Sequence, residues 1–159
     1  MAGSSSLIKF WLFIFLLGAI FSCSEKEKEQ AGSPQVIIKT SSGREIKVKV
    51  KLALTEEQRR KGLMHQSKLR FDEGMLFVMP YSGFHRFWMK NTPISLDLIF
   101  IGEDLKIKGI IERTIPESTE PLAIDEPSRY VLEVRAGFAQ RFGIKEGDEV
   151  KFLKIEVQK

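Results

Sequence analysis

Residues 45–54 read EIKVKVKLAL, and apolar and charged side chains alternate along them without a break. Ile46, Val48, Val50 and Leu52 fall on one side, Lys47, Lys49 and Lys51 on the other. A period of two predicts a β-strand with one buried and one wet face, and it excludes an amphipathic helix. The lysine row is the solubilising side of such a strand, which also guards against edge-to-edge pairing. Upstream, VIIKT (36–40) is a second apolar run, and Ser41-Ser42-Gly43-Arg44 between the two predicts a hairpin.

Downstream the period changes. EEQRRKGLM (56–64) has acids first and bases last, as a helix dipole favours. Thr55 stands at the N-cap position with Gln58 three residues on, a capping box, and Gly62 closes the helix. HQSKLRFDEG (65–74) then predicts a loop, and GMLFVM (74–79) a strand covered on both faces and stopped by Pro80.

Next comes FWMKNTPISLDLIF (87–100). It predicts a hairpin with arms 84–90 and 95–101, because Pro93 extends Thr92 and Asn91 tolerates a left-handed turn. In the antiparallel register Lys90 opposes Asp97 and Trp88 opposes Ile99, so Arg86, Trp88, Lys90 and Asp97 share a face. Two readings follow. One is a ligand site, with Trp88 as a stacking platform and Lys90, Asn91 and Asp97 as hydrogen-bonding groups. The other is a structural Lys90–Asp97 pair that fixes register, with Asn91 serving the turn.

The remaining elements are an alternating strand at LKIKGIIE (105–112), an irregular proline-bearing stretch at 113–128, a strand at RYVLEVR (129–135), a short helix at AGFAQRFG (136–143) capped by Gly143, and a last strand at EVKFLKIEV (149–157). Together they predict a mainly β fold, an antiparallel β-sandwich or distorted barrel of about seven or eight strands with two short helices.

The first residues follow other rules. Lys9 precedes an uncharged run, residues 10–24, that is shorter than the ~20 residues a spanning helix needs. With a charged start and small residues near its end, it reads as a secretory signal over residues 1–22. Ile20-Phe21-Ser22-Cys23 resembles a bacterial lipobox, with Phe21 a departure from the usual small residue. Cys23 is the only cysteine, which excludes an intramolecular disulfide and a multi-cysteine zinc site but suits a retained lipidated residue. A polar, charged tether runs on to residue 35, SEKEKEQAGSP (24–34) within it; random-coil scaling gives that stretch a reach of roughly 20 Å. Residues 36–159 then form a single β-rich domain. The expected address is the bacterial cell envelope, exported and held to the membrane by the N-terminal lipid, on the periplasmic or surface side.

Charge and motifs narrow the chemistry. Without Lys9, 24 of the 25 basic residues face 21 acidic ones, and no basic run or aromatic-basic motif points to nucleic acid. The chain lacks G-x-S-x-G, a phosphate-cradling glycine loop, H-E-x-x-H and C-x-x-C. No catalytic residue, cofactor or metal is therefore assigned. Met64, Met75, Met79 and Met89 with His65 and His85 offer ligand types that suit Cu(I), but at no compact spacing, and methionine more often fills gaps in cores.

RKGLM, DEGMLFV, FWMKNT, LDLIF, YVLE and GIKEGD occur in an order and spacing that resembles the bacterial and archaeal family known as domain of unknown function 192. The similarity runs from Val48 to Val150. It implies a mainly β, sandwich-like domain and an exported or membrane-attached protein, and it supplies no catalytic residue or ligand to carry over. The expected role is a noncatalytic module that binds a small polar or saccharide ligand, or a partner protein of the envelope, at Trp88, Lys90, Asn91 and Asp97. The alternatives are a hydrolase using Asp97 and Lys90, a Cu(I)-binding protein, and a purely structural envelope component.

Overall fold

The computed structural model describes residues 32–156; the signal-like run, Cys23 and most of the tether lie outside them. The described chain folds in the order β1 (Gln35–Lys39), β2 (Glu45–Ala53), α1 (Glu56–Lys61), β3 (Glu73–Gly83), β4 (Leu96–Ile101), β5 (Ile107–Ile111), β6 (Ser128–Arg135), α2 (Phe138–Phe142) and β7 (Glu149–Leu153). The seven strands make one sheet in the order β5-β4-β6-β3-β2-β1-β7. The sheet curls until its two edges approach, and Lys106 bridges Glu149 there while Val150 N–H donates to Leu105 O at 2.8 Å. The distorted barrel is thus the form adopted, rather than two stacked sheets.

The alternating strand behaves as its pattern requires. Ile46, Val48 and Val50 are buried, Lys47, Lys49 and Lys51 exposed, and β1 pairs antiparallel with β2 in the register Val36↔Val48. Inside the curl these residues join Val36, Ile38, Leu76, Ile99, Ile101, Leu132, Val134, Phe138 and Val150 in the larger core. A second apolar cluster forms on the other face of β3, β4 and β6, from Phe77, Leu96, Leu98, Phe100 and Val131 with Ala53, Leu63 and Met89 laid over them. Strands buried on both faces show no alternation; all six residues of β4 are buried.

Three expectations are corrected. The sheet is not wholly antiparallel, since β2 and β3 run parallel in the register Lys51↔Met75. Parallel neighbours need a long crossover, and residues 54–72 with α1 supply it. Pro80 does not end β3, which continues to Gly83. The ladder with β6 breaks between Val78 and Gly83, so the missing proline N–H leaves no partner unpaired.

The third correction concerns the hairpin. Residues 84–90 are not an arm pairing with β4, which lies between β5 and β6. Instead Phe87 exchanges both backbone hydrogen bonds with Leu122 at 2.8 Å, and Met89 N–H donates to Ser118 O at 2.9 Å. The segment is an extended strap over the second cluster, tied to the proline-bearing stretch rather than to its sequence neighbour.

Candidate functional site

Asp97 comes first, because the hairpin made it a ligand group. It is 0% exposed. Its Oδ1 accepts from Arg113 N (2.8 Å) and Gly137 N (3.1 Å), and its Oδ2 from Ala139 N (2.9 Å). The carboxyl gathers backbone donors where α2 begins, and Gly137, at φ +82°, takes a left-handed conformation that suits glycine to present its N–H there. Asp97 shares the strand face of Ile99 and Ile101, which point into the curl, whereas Leu96, Leu98 and Phe100 point to the second cluster. It therefore lies on the opposite side of the sheet from the strap. Lys90 and Asp97 form no pair, and the Asp97/Lys90 hydrolase loses its geometry.

The other three expected residues do come together. Trp88, Lys90 and Asn91 line one open groove of about 750 Å³ with Glu57, Arg60, Lys61, Met64 and His65. Trp88 is 51% exposed, and Lys90 Nζ lies 5.9 Å from its ring centroid. Two left-handed residues shape the turn: Asn91 at φ +56° and His65 at φ +63°. His65 N–H donates to Asn91 O at 2.7 Å, and so the end of α1 is fastened to the strap. Asn and His are among the residues that tolerate this conformation best.

Helix α1 is placed by its own sequence. Thr55 accepts from Gln58 N, and the Gln58 side chain accepts from the backbone of Leu54 and Thr55, completing the capping box. The Arg59 guanidinium donates to Leu54 O and Val78 O, which binds the helix to β3. Gly62 ends it at φ +47°, and a Cβ there would stand 3.1 Å from Phe77 Cζ. The helix terminus can approach the second cluster because this residue has no side chain.

Between α1, β3 and the strap a narrower pocket of about 280 Å³ continues inward from the groove, sharing Arg60, Lys61, Met64 and Trp88 with it. Leu63, Phe77, Met79 and Phe87 form apolar walls. Phe87 is held edge-to-face against Phe77 (5.2 Å) and Phe100 (5.9 Å), which fixes the wall's shape. Glu133 of β6 also lines this pocket. It is 5% exposed, and its Oε2 has no hydrogen-bond partner among the described residues. Burial in these surroundings pushes the Glu133 carboxyl up to about 8, because ionising it there forfeits hydration that nothing replaces.

Glu133 is the site residue that sequence reasoning missed. A signal was present, since Tyr130-Val131-Leu132-Glu133-Val134 sets an acid in an apolar strand just as Leu96-Asp97-Leu98 does. The sequence does not say which acid is satisfied. One meets three backbone donors; the other meets apolar side chains and a cavity. An unpartnered buried acid in the lining of a pocket, with a few charged groups at the mouth, is a configuration that ligand sites use.

The copper idea finds little. Met89 is buried at 1% in the second cluster and Met75 packs against it, both as apolar filler. His85 is buried and its Nε2 is bonded to Tyr81 O at 3.1 Å. Among the described residues no group of three or more His, Cys, Asp or Glu side chains could hold a metal ion. No described helix is long and apolar enough to cross a membrane.

Three comparisons bear on what the chain is similar to. The model of the DUF192 family, "Uncharacterized ACR", matches residues 37–152. No curated protein matches. Among solved structures, one of a "putative transcription regulator" from Sinorhizobium meliloti 1021 is similar at TM-score 0.73 and 37% identity, over 76% of this chain and 94% of that one. Another, a protein of unknown function from Novosphingobium aromaticivorans DSM 12444, is similar at TM-score 0.72 and 35% identity, over 76% and 94%.

Proposed function

The chain belongs to the DUF192 family, whose matched residues span the whole pocket, and from that premise we propose that it is a lipid-anchored envelope protein with a noncatalytic binding module for a small polar or saccharide ligand. The observation that carries the binding half is Glu133, a buried acid whose Oε2 has no partner, in the lining of a pocket at whose mouth Trp88 is half exposed. Trp88 offers a flat apolar platform, and Lys90 and Asn91 add donors beside it. Glu133 supplies a hydrogen-bonding group in a desolvated place, where a good partner is worth most. Asp97 has no part in this site. A noncatalytic role suits the pocket because Glu133 Oε2 is hydrogen-bonded to neither Thr92 nor Glu56, the other hydroxyl and the other acid in its lining.

The anchor half rests on sequence. The apolar run of residues 10–24, the single Cys23 and the polar tether support export and lipidation. The tether ends where β1 begins, so the module would stand off the membrane by about the tether's reach.

Tryptophan emission tests the binding half. Of the two tryptophans Trp11 falls in the signal read as removed, so the processed protein beginning at Cys23, held in detergent, reports Trp88 alone. Peptidoglycan fragments and simple sugars titrated into it should include a ligand that shifts the emission saturably, is recovered unchanged, and binds at least about tenfold more weakly to Glu133→Gln. Absence of any saturable shift at millimolar concentration contradicts the binding module. Release of a cleaved product makes the protein an enzyme instead.

A further inference from the structure

The pocket has a charge order along its depth. At its floor is one acid, Glu133. Around its mouth stand Arg59, Arg60 and Lys61 of α1 and Arg86 of the strap, with Glu56 as the one opposing charge. Arg60 is already paired with Glu56 at 2.8 Å, and Arg59 is spent on backbone carbonyls. Lys61 and Arg86 have no ion pair among the described residues, and neither has Lys90 in the adjoining groove. Between floor and mouth the walls are Leu63, Phe77, Met79 and Phe87, which offer contact but almost no hydrogen bonding.

Building on the binding reading, we propose that the pocket takes a zwitterion, with a primary ammonium donated to Glu133, a short apolar spacer between the aromatic and methionine walls, and an anionic group left at the mouth with Arg86 and Lys61. Each segment answers one feature. A cation is the group that most rewards a buried carboxyl lacking a partner, because it lets the acid ionise without remaining alone in an apolar site. The aromatic walls at Phe77 and Phe87 suit the methylenes beside a cation. The surplus of unpaired cations at the mouth attracts an anion and repels a ligand entering ammonium-outward. A neutral sugar would satisfy Glu133 through a hydroxyl but would leave the mouth unused.

The ω-amino carboxylates of four to eight carbons test this, because they vary the spacer while keeping both ends. Each is compared with the ω-hydroxy carboxylate and the plain carboxylate of equal length, on the processed protein, by Trp88 emission and calorimetry. The expected result is one length that binds at least about tenfold more tightly as the amine than as the alcohol or the plain acid. Glu133→Gln should erase that preference while its circular dichroism and melting remain those of a folded chain. Arg86→Gln with Lys61→Gln should weaken the amine ligand several-fold and flatten its salt dependence. Equal binding of amine and alcohol overturns the ammonium assignment, as does a preference that survives Glu133→Gln. If sugars bind at Trp88 and no amino carboxylate does, the zwitterion is wrong while the binding module stands. If neither class binds, both fail.

Discussion

Asp97 and Glu133 stand on neighbouring strands of one sheet and point to opposite faces of it. The first holds three backbone N–H groups, so removing it strands all three in a buried place. Asp97→Ala should cost about 3 kcal/mol or more in urea denaturation, while the fraction still folded keeps its ligand affinity. A loss of binding with stability intact would return Asp97 to the site. Glu133 works the other way. Unfolded, it titrates near 4.5; folded, near 8. Between those values the native state keeps a proton that the unfolded chain has lost, so its stability falls as pH rises through that window and levels off above it. Glu133→Gln should match the parent near pH 4.5 and exceed it by a few kcal/mol above pH 8. Denaturation curves at both ends decide, and parallel pH profiles for the two proteins would deny the raised value.

Elements were legible where their own residues set them. The β2 face, the β1–β2 hairpin, the capping box of α1 and the Gly143 cap of α2 all follow from neighbours within a few positions. The strap was not legible. Its aromatic and apolar residues resemble a strand, but its backbone partners are Ser118 and Leu122, beyond β4 and β5 in sequence. Strand β4 is buried on both faces, so no alternation announces which neighbours flank it. The pocket is made where α1 meets that strap, and it inherits the same obscurity: Trp88, Lys90 and Asn91 could be singled out by type, Glu133 only by its surroundings. The helix that walls the pocket is short and depends on its ends. Thr55→Ala should cost about 1 kcal/mol. Gly62→Ala should cost about 1–2 kcal/mol, since alanine resists the left-handed φ and its methyl meets the Phe77 ring. Both should also weaken whatever occupies the pocket, by moving its wall. A Gly62→Ala protein as stable as the parent would show that α1 does not seat on Phe77.

At the scale of the molecule, the curled sheet closes one core inside itself and leaves the second on an outer face, roofed by α1 and the strap. A mainly β class and the strand count could be read from spacing and turn residues; the parallel β2–β3 pair could not, because both orientations bury the same faces. The proposed N-terminal anchor has its own test. Mass spectrometry of the membrane fraction should find the chain beginning at an acylated Cys23, and Cys23→Ala should remain unprocessed; an intact, unmodified Cys23 in the parent would remove the lipoprotein reading. Everything assigned to the pocket depends on an uncompensated acid at its floor, and carbon-detected NMR of the side-chain carboxyls reads that acid directly. The resonance that disappears in Glu133→Gln should titrate with a midpoint near 8. A midpoint near the ordinary 4.5 would mean that the carboxyl is already solvated or paired, and would contradict the site.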